Sequence, residues 1–148
     1  MQTNTLNILL ADDDLDDCSF FQEALEELKI SVKLTTVNNG VQLMQLLCIK
    51  DTLLPDIIFL DLNMPRKSGF ECLSEIKVID KLKTIPVMIF STSLDINVVN
   101  LLYEKGACYY IRKPGEFNKL KKIILEVVTL ISQSELTQPA RDKFLLQP

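Results

Sequence analysis

The chain contains no histidine, which excludes any mechanism that needs an imidazole of its own as base, nucleophile or metal ligand. A Ser-His-Asp hydrolase is ruled out with it. Cysteine is sparse and scattered: Cys18, Cys48, Cys72 and Cys108 show neither the close pairing of a zinc ribbon nor a secreted disulfide framework. Each reads as a small apolar filler in a reducing cytoplasm. Glycine is also scarce, four in 148 residues, and no glycine-rich loop follows the first apolar run to cradle a phosphate. Positive charge is in deficit, with Lys+Arg 16 against Asp+Glu 20 and a formal charge of −4. No long-range attraction to nucleic acid or anionic lipid follows from that balance. The N-terminus lacks a basic region, and the apolar run after it stops at Asp12, too soon for a signal peptide or a membrane span. The expectation is a soluble, unprocessed cytoplasmic protein.

What is present is a 47% hydrophobic composition, enough at this length to close the core of one domain. Leu6 to Ala11 is a continuous apolar run ending abruptly in acids, the pattern of a strand buried on both faces. Phe20, Phe21, Ala24, Leu25 and Leu28 then recur at helical spacing across Leu15 to Leu28. The alternation repeats. Val32 to Val37 reads as a second strand, closed by Asn38-Asn39-Gly40 and followed by a helix marked by Val41, Leu43, Met44 and Leu47. Ile57 to Leu60 ends at Asp61, a short helix carries Phe70, Leu73, Ile76 and Lys77, and Val87 to Phe90 ends at Ser91-Thr92-Ser93. A helix over roughly Asp95 to Lys105 stops at Gly106, Cys108 to Ile111 forms a fifth strand, and Phe117 to Leu130 is an amphipathic last helix. Residues 1–131 are one domain in this reading. Residues 132–148, polar and containing Pro139, form a tail that either extends the last helix or is disordered.

Strands alternating with helices need crossover connections, which give a parallel sheet covered on both faces and a ligand site at the strands' carboxyl ends. Those ends carry Asp12-Asp13-Asp14, Asp61, Ser91-Thr92 and Lys113. Carboxylates crowded together repel, so the cluster calls for a counter-cation. Oxygen ligands without histidine or cysteine suit a hard ion with open positions, hence Mg²⁺, with Mn²⁺ as a substitute. Asp13 and the Asn63 backbone carbonyl would hold the metal directly, Asp12 directly or through water. Such a site stabilises a phosphoryl group in transfer, with Asp61 as nucleophile and Lys113 neutralising phosphoryl oxygens.

These residues resemble the receiver domains of two-component response regulators over about Leu6 to Leu130. The motifs are Ile8-Leu9-Leu10-Ala11-Asp12-Asp13, Asp61-Leu62-Asn63-Met64-Pro65 with Gly69, Pro86 to Ser91, and Gly106-Ala107 through Tyr110 to Lys113-Pro114. The resemblance implies an α/β, flavodoxin-like, doubly wound fold, with five parallel strands in the order 2-1-3-4-5 and five helices. It implies that a phosphohistidine on a sensor histidine kinase, or on a histidine phosphotransfer protein, supplies the phosphoryl group. By position Asp61 matches the acceptor, Asp12 and Asp13 the acidic pair, and Lys113 the family lysine. Ser91 matches the switch hydroxyl and Tyr110 the switch aromatic. Phosphorylation would then alter the face of helix four, strand five and helix five that a downstream protein reads. Ser91 replaces the commoner threonine, and Gly115 follows Pro114 where a bulky residue is usual. The chain length and Pro65 to Gly69 look similar to stand-alone regulators, some of which pair with bacteriophytochromes.

Plainer readings stand beside these. Asp14, Asp16 and Asp17 read as an N-cap cluster favoured by the helix dipole. Tyr109 competes with Tyr110 as the exposed aromatic, and Lys119, Lys121 and Lys122 read as a solvated helix face. Leu101, Leu102, Tyr103 and Tyr109 are expected to leave apolar surface for a homodimer through the helix-four to helix-five face. The protein is expected to be a phosphoprotein rather than an enzyme, catalysing only its own phosphorylation and dephosphorylation. A haloacid-dehalogenase-like phosphohydrolase is the alternative, although Asn63 stands where such an enzyme keeps a second acid. A flavodoxin-like binder of flavin or nucleotide is another.

Overall fold

A computed structural model describes residues 5–49, 53–133 and 138–147. Its elements alternate as the hydrophobic pattern requires: β1 (Leu6–Ala11), α1 (Leu15–Leu28), β2 (Val32–Val37), α2 (Gly40–Leu47), β3 (Ile57–Leu60), α3 (Gly69–Val78), β4 (Val87–Ser91), α4 (Ile96–Glu104), β5 (Tyr109–Arg112) and α5 (Phe117–Ser132). A turn of 3-10 helix at Arg141–Lys143 then leads into a short β6, Leu145–Leu146. The strands pair in parallel in the order β2-β1-β3-β4-β5-β6.

Strand pleating sorts the side chains into two cores. Ile8, Leu10, Ile57, Phe59, Met88, Phe90 and Ile111 face α1 and α5. Leu9, Ala11, Ile58, Leu60, Val87, Ile89 and Tyr110 face α2, α3 and α4. The central strands β3 and β4 are buried at every residue, which is why they read as unbroken apolar runs. β2, at the edge, alternates instead. Phe21, Phe59 and Phe90 lock α1 to the sheet, with ring centroids 4.9, 5.8 and 6.0 Å apart in edge-to-face contact.

Helix starts follow their capping residues. Asp14 accepts from the backbone N–H of Asp16 and Asp17, Ser68 and Glu71 form a capping box, and Asp95 accepts from Asn97 N–H. Gly106, at φ +95°, ends α4 in a conformation that side chains disfavour. Cys18, Cys72 and Cys108 are buried free thiols, while Cys48 is exposed and fills no core. Among the described residues no helix is long and apolar enough to cross a membrane.

The sheet has one strand more than the five expected, and the segment read as a tail supplies it. Residues 138–146 return along the outer edge of β5, where Tyr110 N–H donates to Phe144 O at 3.0 Å. Gln138 donates to the carbonyls of Tyr103 and Ala107, both at 2.7 Å, Tyr103 OH donates to Pro139 O at 2.8 Å, and Arg141 Nε donates to Asn100 Oδ1 at 2.6 Å. Phe144 is fully buried, stacked edge-on against Tyr103 at 5.1 Å. Composition hid this return: one phenylalanine and two leucines are too few to register as a periodic element. The apolar face expected on α4 and β5 is correspondingly reduced. Leu101 is exposed, but Leu102 is buried and Tyr103 and Tyr109 are half-buried.

Phe144→Ala removes a fully buried ring and is expected to cost about 3 kcal/mol of unfolding free energy. Urea denaturation measures it, and a loss under 1 kcal/mol would mean the returning segment is not packed as described.

Candidate functional site

Three polar side chains are buried among the described residues: Asp12, Asp61 and Ser91. All three stand at the carboxyl ends of neighbouring strands, β1, β3 and β4. Buried polar groups are costly without partners, so their convergence marks the site more sharply than any one motif. The backbone holds them in register: Asp12 N–H donates to Val37 O at 3.0 Å, Asp61 N–H to Ala11 O at 2.9 Å, and Lys113 N–H to Ser91 O at 2.8 Å. Gly69 packs its α-carbon against the Asp61 carbonyl so closely that a β-carbon there would clash with backbone. Residues 62–69 are thereby folded back beneath Asp61.

Lys113 lies at the centre of the electrostatics. Its Nζ stands 2.7 Å from Asp12 Oδ2, 2.9 Å from Asp17 Oδ2 and 3.5 Å from Asp61 Oδ2. The contact to Asp17 is a hydrogen bond. The contact to Asp12 Oδ2, a fully buried atom with no directional hydrogen bond, is an ion pair. Burial raises the Asp61 pKa; Lys113 opposes this and the Asp12 charge adds to it, with the net result near 6. Burial acts to lower the Lys113 pKa, but the carboxylates of Asp12, Asp17 and Asp61 outweigh it and hold the ammonium charged well above its ordinary range.

Carboxylate oxygens of Asp12, Asp13 and Asp61 come within 4.8 Å of one another, with Asp13 exposed on the open side. A hard divalent ion fits that donor set: oxygen ligands only, one solvent-facing, and more negative charge than one ammonium can neutralise. Asn63 is exposed, and its N–H reaches Asp61 Oδ1 at 3.4 Å.

The predicted switch pair does not touch the carboxylates through any hydrogen bond among the described residues. Ser91 Oγ instead meets Ser93 Oγ at 3.1 Å and accepts from Ser93 N–H at 3.3 Å. Tyr110 is fully buried, its hydroxyl donating to Ser93 O at 2.7 Å. Of the two neighbouring tyrosines, Tyr109 is the more exposed.

Asp17, which reads from the sequence as part of the helix-cap cluster, stands in the site in the structure, 2.9 Å from Lys113 Nζ. A signal was available: Asp17 lies one and two turns before Phe21 and Ala24, both buried, so it occupies the apolar stripe of α1. The pocket beside Lys113, lined by Asp17, Phe20, Phe90, Pro114 and Leu120, holds about 20 Å³.

Comparison with known proteins agrees with the geometry. The family described as response regulator receiver domain matches residues 8–125. Response regulator Rcp1 of Synechocystis sp. is 34% identical over 134 residues, covering 83% of this chain and 91% of Rcp1. The crystal structure of the phosphorylated cyanobacterial phytochrome response regulator RcpA superposes with a TM-score of 0.81 at 31% identity, covering 93% of this chain and 100% of RcpA. The Mn(2+)-bound form of Rcp1 does so with a TM-score of 0.77 at 32% identity, covering 91% of this chain and 99% of that one.

The raised Asp61 pKa carries a sign. The folded-state value near 6 lies above the ordinary 3.8, so an ionised Asp61 weakens the metal-free fold at pH 7. Asp61→Asn is expected to raise the stability of metal-free protein by roughly 1–3 kcal/mol at pH 7. The gain should shrink as pH falls through 6 and vanish near 4; urea unfolding in chelator at several pH values checks it, and a pH-independent difference would contradict the assignment.

Proposed function

Because this chain belongs to the response regulator receiver domain family, we propose that it is a phosphorylation switch whose acceptor is Asp61 and whose source is a phosphohistidine on a histidine kinase or phosphotransfer protein. The observation that carries this is the convergence of the buried Asp12 and Asp61 carboxylates on Lys113, at the strand ends where Ser91 is also buried. The Asp61 carboxylate attacks phosphorus, and the bond from phosphorus to the donor nitrogen breaks. Lys113, already 3.5 Å from Asp61 Oδ2, neutralises a phosphoryl oxygen. Mg²⁺, with Mn²⁺ as substitute, would be held by Asp12, Asp13, Asp61 and the Asn63 carbonyl, and would supply positive charge against the developing phosphoryl charge. Water later cleaves the acyl phosphate, returning the carboxylate and releasing inorganic phosphate.

The receiver takes in the returning strand β6 together with the five strands before it, and the buried free thiols accord with a reducing cytoplasm. Partners are protein rather than nucleic acid or membrane. The route outward runs from Ser91 through Ser93 to the Tyr110 hydroxyl, and from the Tyr110 backbone to Phe144. A phosphoryl group that draws Ser91 Oγ away from Ser93 loosens the loop that Tyr110 holds, and so biases the surface of α4, β5 and the returning segment. A downstream protein, or a second copy, reads that surface.

Incubation with Mg²⁺ and acetyl phosphate should give an acid-stable, base-labile adduct on Asp61, detected by intact mass and peptide mapping. It should be absent in Asp61→Ala and in excess chelator. Equal labelling of Asp61→Ala would overturn the reading.

A further inference from the structure

Asp17 reaches the site from α1, across 96 positions of sequence, and accepts a hydrogen bond from Lys113 Nζ at 2.9 Å. Asp12 Oδ2 pairs with the same ammonium at 2.7 Å without a directional hydrogen bond, and Asp61 Oδ2 stands 3.5 Å away. The lysine side chain is 9% exposed and that of Asp17 34%, so the contact is sheltered on one side only. Building on the phosphorylation reading, we propose that Asp17 is a positioning residue. Together with Asp12 it clamps the Lys113 ammonium, so that a free N–H is aimed where a phosphoryl oxygen arrives and the ammonium is kept from closing on Asp61 itself.

The physical case rests on what the lysine would do otherwise. A lysine is a point charge on a four-carbon stem with about 2 kcal/mol of rotamer entropy. The ion pair with buried Asp12 fixes its distance but not its direction, and the hydrogen bond to Asp17 fixes the direction. With Asp17 gone, Asp12 still holds the ammonium near, and Asp61, at 3.5 Å, is the next carboxylate toward which it can turn. An ammonium closed onto the nucleophile stabilises the ground state rather than the transition state, and the barrier rises. Helix capping does not account for the geometry: Asp14 is the cap, and Asp16, in the same turn, is exposed and makes no ion pair among the described residues. Asp16 therefore supplies an internal control with the same charge and dipole position.

The test compares Asp17→Asn with Asp16→Asn in the rate of Asp61 phosphorylation by acetyl phosphate at saturating Mg²⁺. Asp17→Asn should be slower by about tenfold, Asp16→Asn close to the unaltered protein, and Asp17→Glu largely restored. In a Lys113→Met background, Asp17→Asn should add nothing, because its effect passes through the lysine. ¹⁵N-edited spectra of the Lys113 ammonium give a readout independent of phosphorylation: Asp17→Asn should shift or broaden that signal and Asp16→Asn should not. Equal rates for the two asparagine variants, an undiminished effect in the Lys113→Met background, or an unmoved ammonium signal would each overturn the clamp. Failure of the unaltered protein to label on Asp61 would overturn the functional reading instead, leaving the spectra to decide the clamp.

Discussion

One ammonium group stands among carboxylates from three separate elements, and the carboxyl edge of the sheet is organised around it. Asp12 follows β1, Asp61 follows β3, Asp17 belongs to α1, and Lys113 follows β5. Parallel winding brings these strand ends to one edge whatever their sequence separation. Once there, the carboxylates cannot be buried without a cation. Lys113 meets part of that need, and the remaining negative charge, with Asp13 facing solvent, is what makes the site receptive to a hard divalent ion.

The fold was legible because its signals were local and redundant. β3 and β4 announced themselves as apolar runs, since both their faces are covered, and each ended at a polar residue that the hydrophobic pattern could not explain. Asp12, Asp13, Asp61 and Lys113 could be picked out for the same reason. Asp17 could not be separated from its neighbours by composition: in Asp12 to Asp17 five of six residues are aspartate, and only helical phase distinguishes the one on the buried stripe from those in water. β6 was hidden for the opposite reason. Two residues of strand pairing and one buried ring make no period, and their stability comes from long-range contacts to α4 and β5 that a linear reading does not contain.

The returning segment changes what the face of α4 and β5 presents. In a five-stranded sheet the outer edge of β5 would be an unpaired strand edge, open to pairing with another chain. Here β6 occupies it, and Phe144 fills the space against Tyr103. The same backbone carbonyl, Phe144 O, accepts from the N–H of Tyr110, whose hydroxyl is tied to the loop after β4. Site and surface are therefore joined through one residue, with the side chain on one route and the main chain on the other. A rearrangement at Ser93 that moved the Tyr110 ring would be felt at the surface through the strand that ring belongs to.

The titration behaviour of the site decides what kind of signal it can answer. Lys113 stays charged throughout the physiological range, because the carboxylates around it outweigh its burial. The buried thiols Cys18 and Cys72 are pushed up to about 11 by burial, and histidine is absent. Asp61 is the group placed near the working range, and at about 6 roughly nine-tenths of it is ionised at pH 7 by its titration curve. Deeper burial would keep this carboxyl protonated at neutral pH; a closer lysine would ionise it fully and neutralise it. Its position between those limits leaves a carboxylate that is charged, desolvated and incompletely neutralised. In the metal-free protein its ionised share falls from roughly nine-tenths at pH 7 to about one-half at pH 6, so acidification removes part of the negative charge that a divalent ion would meet there.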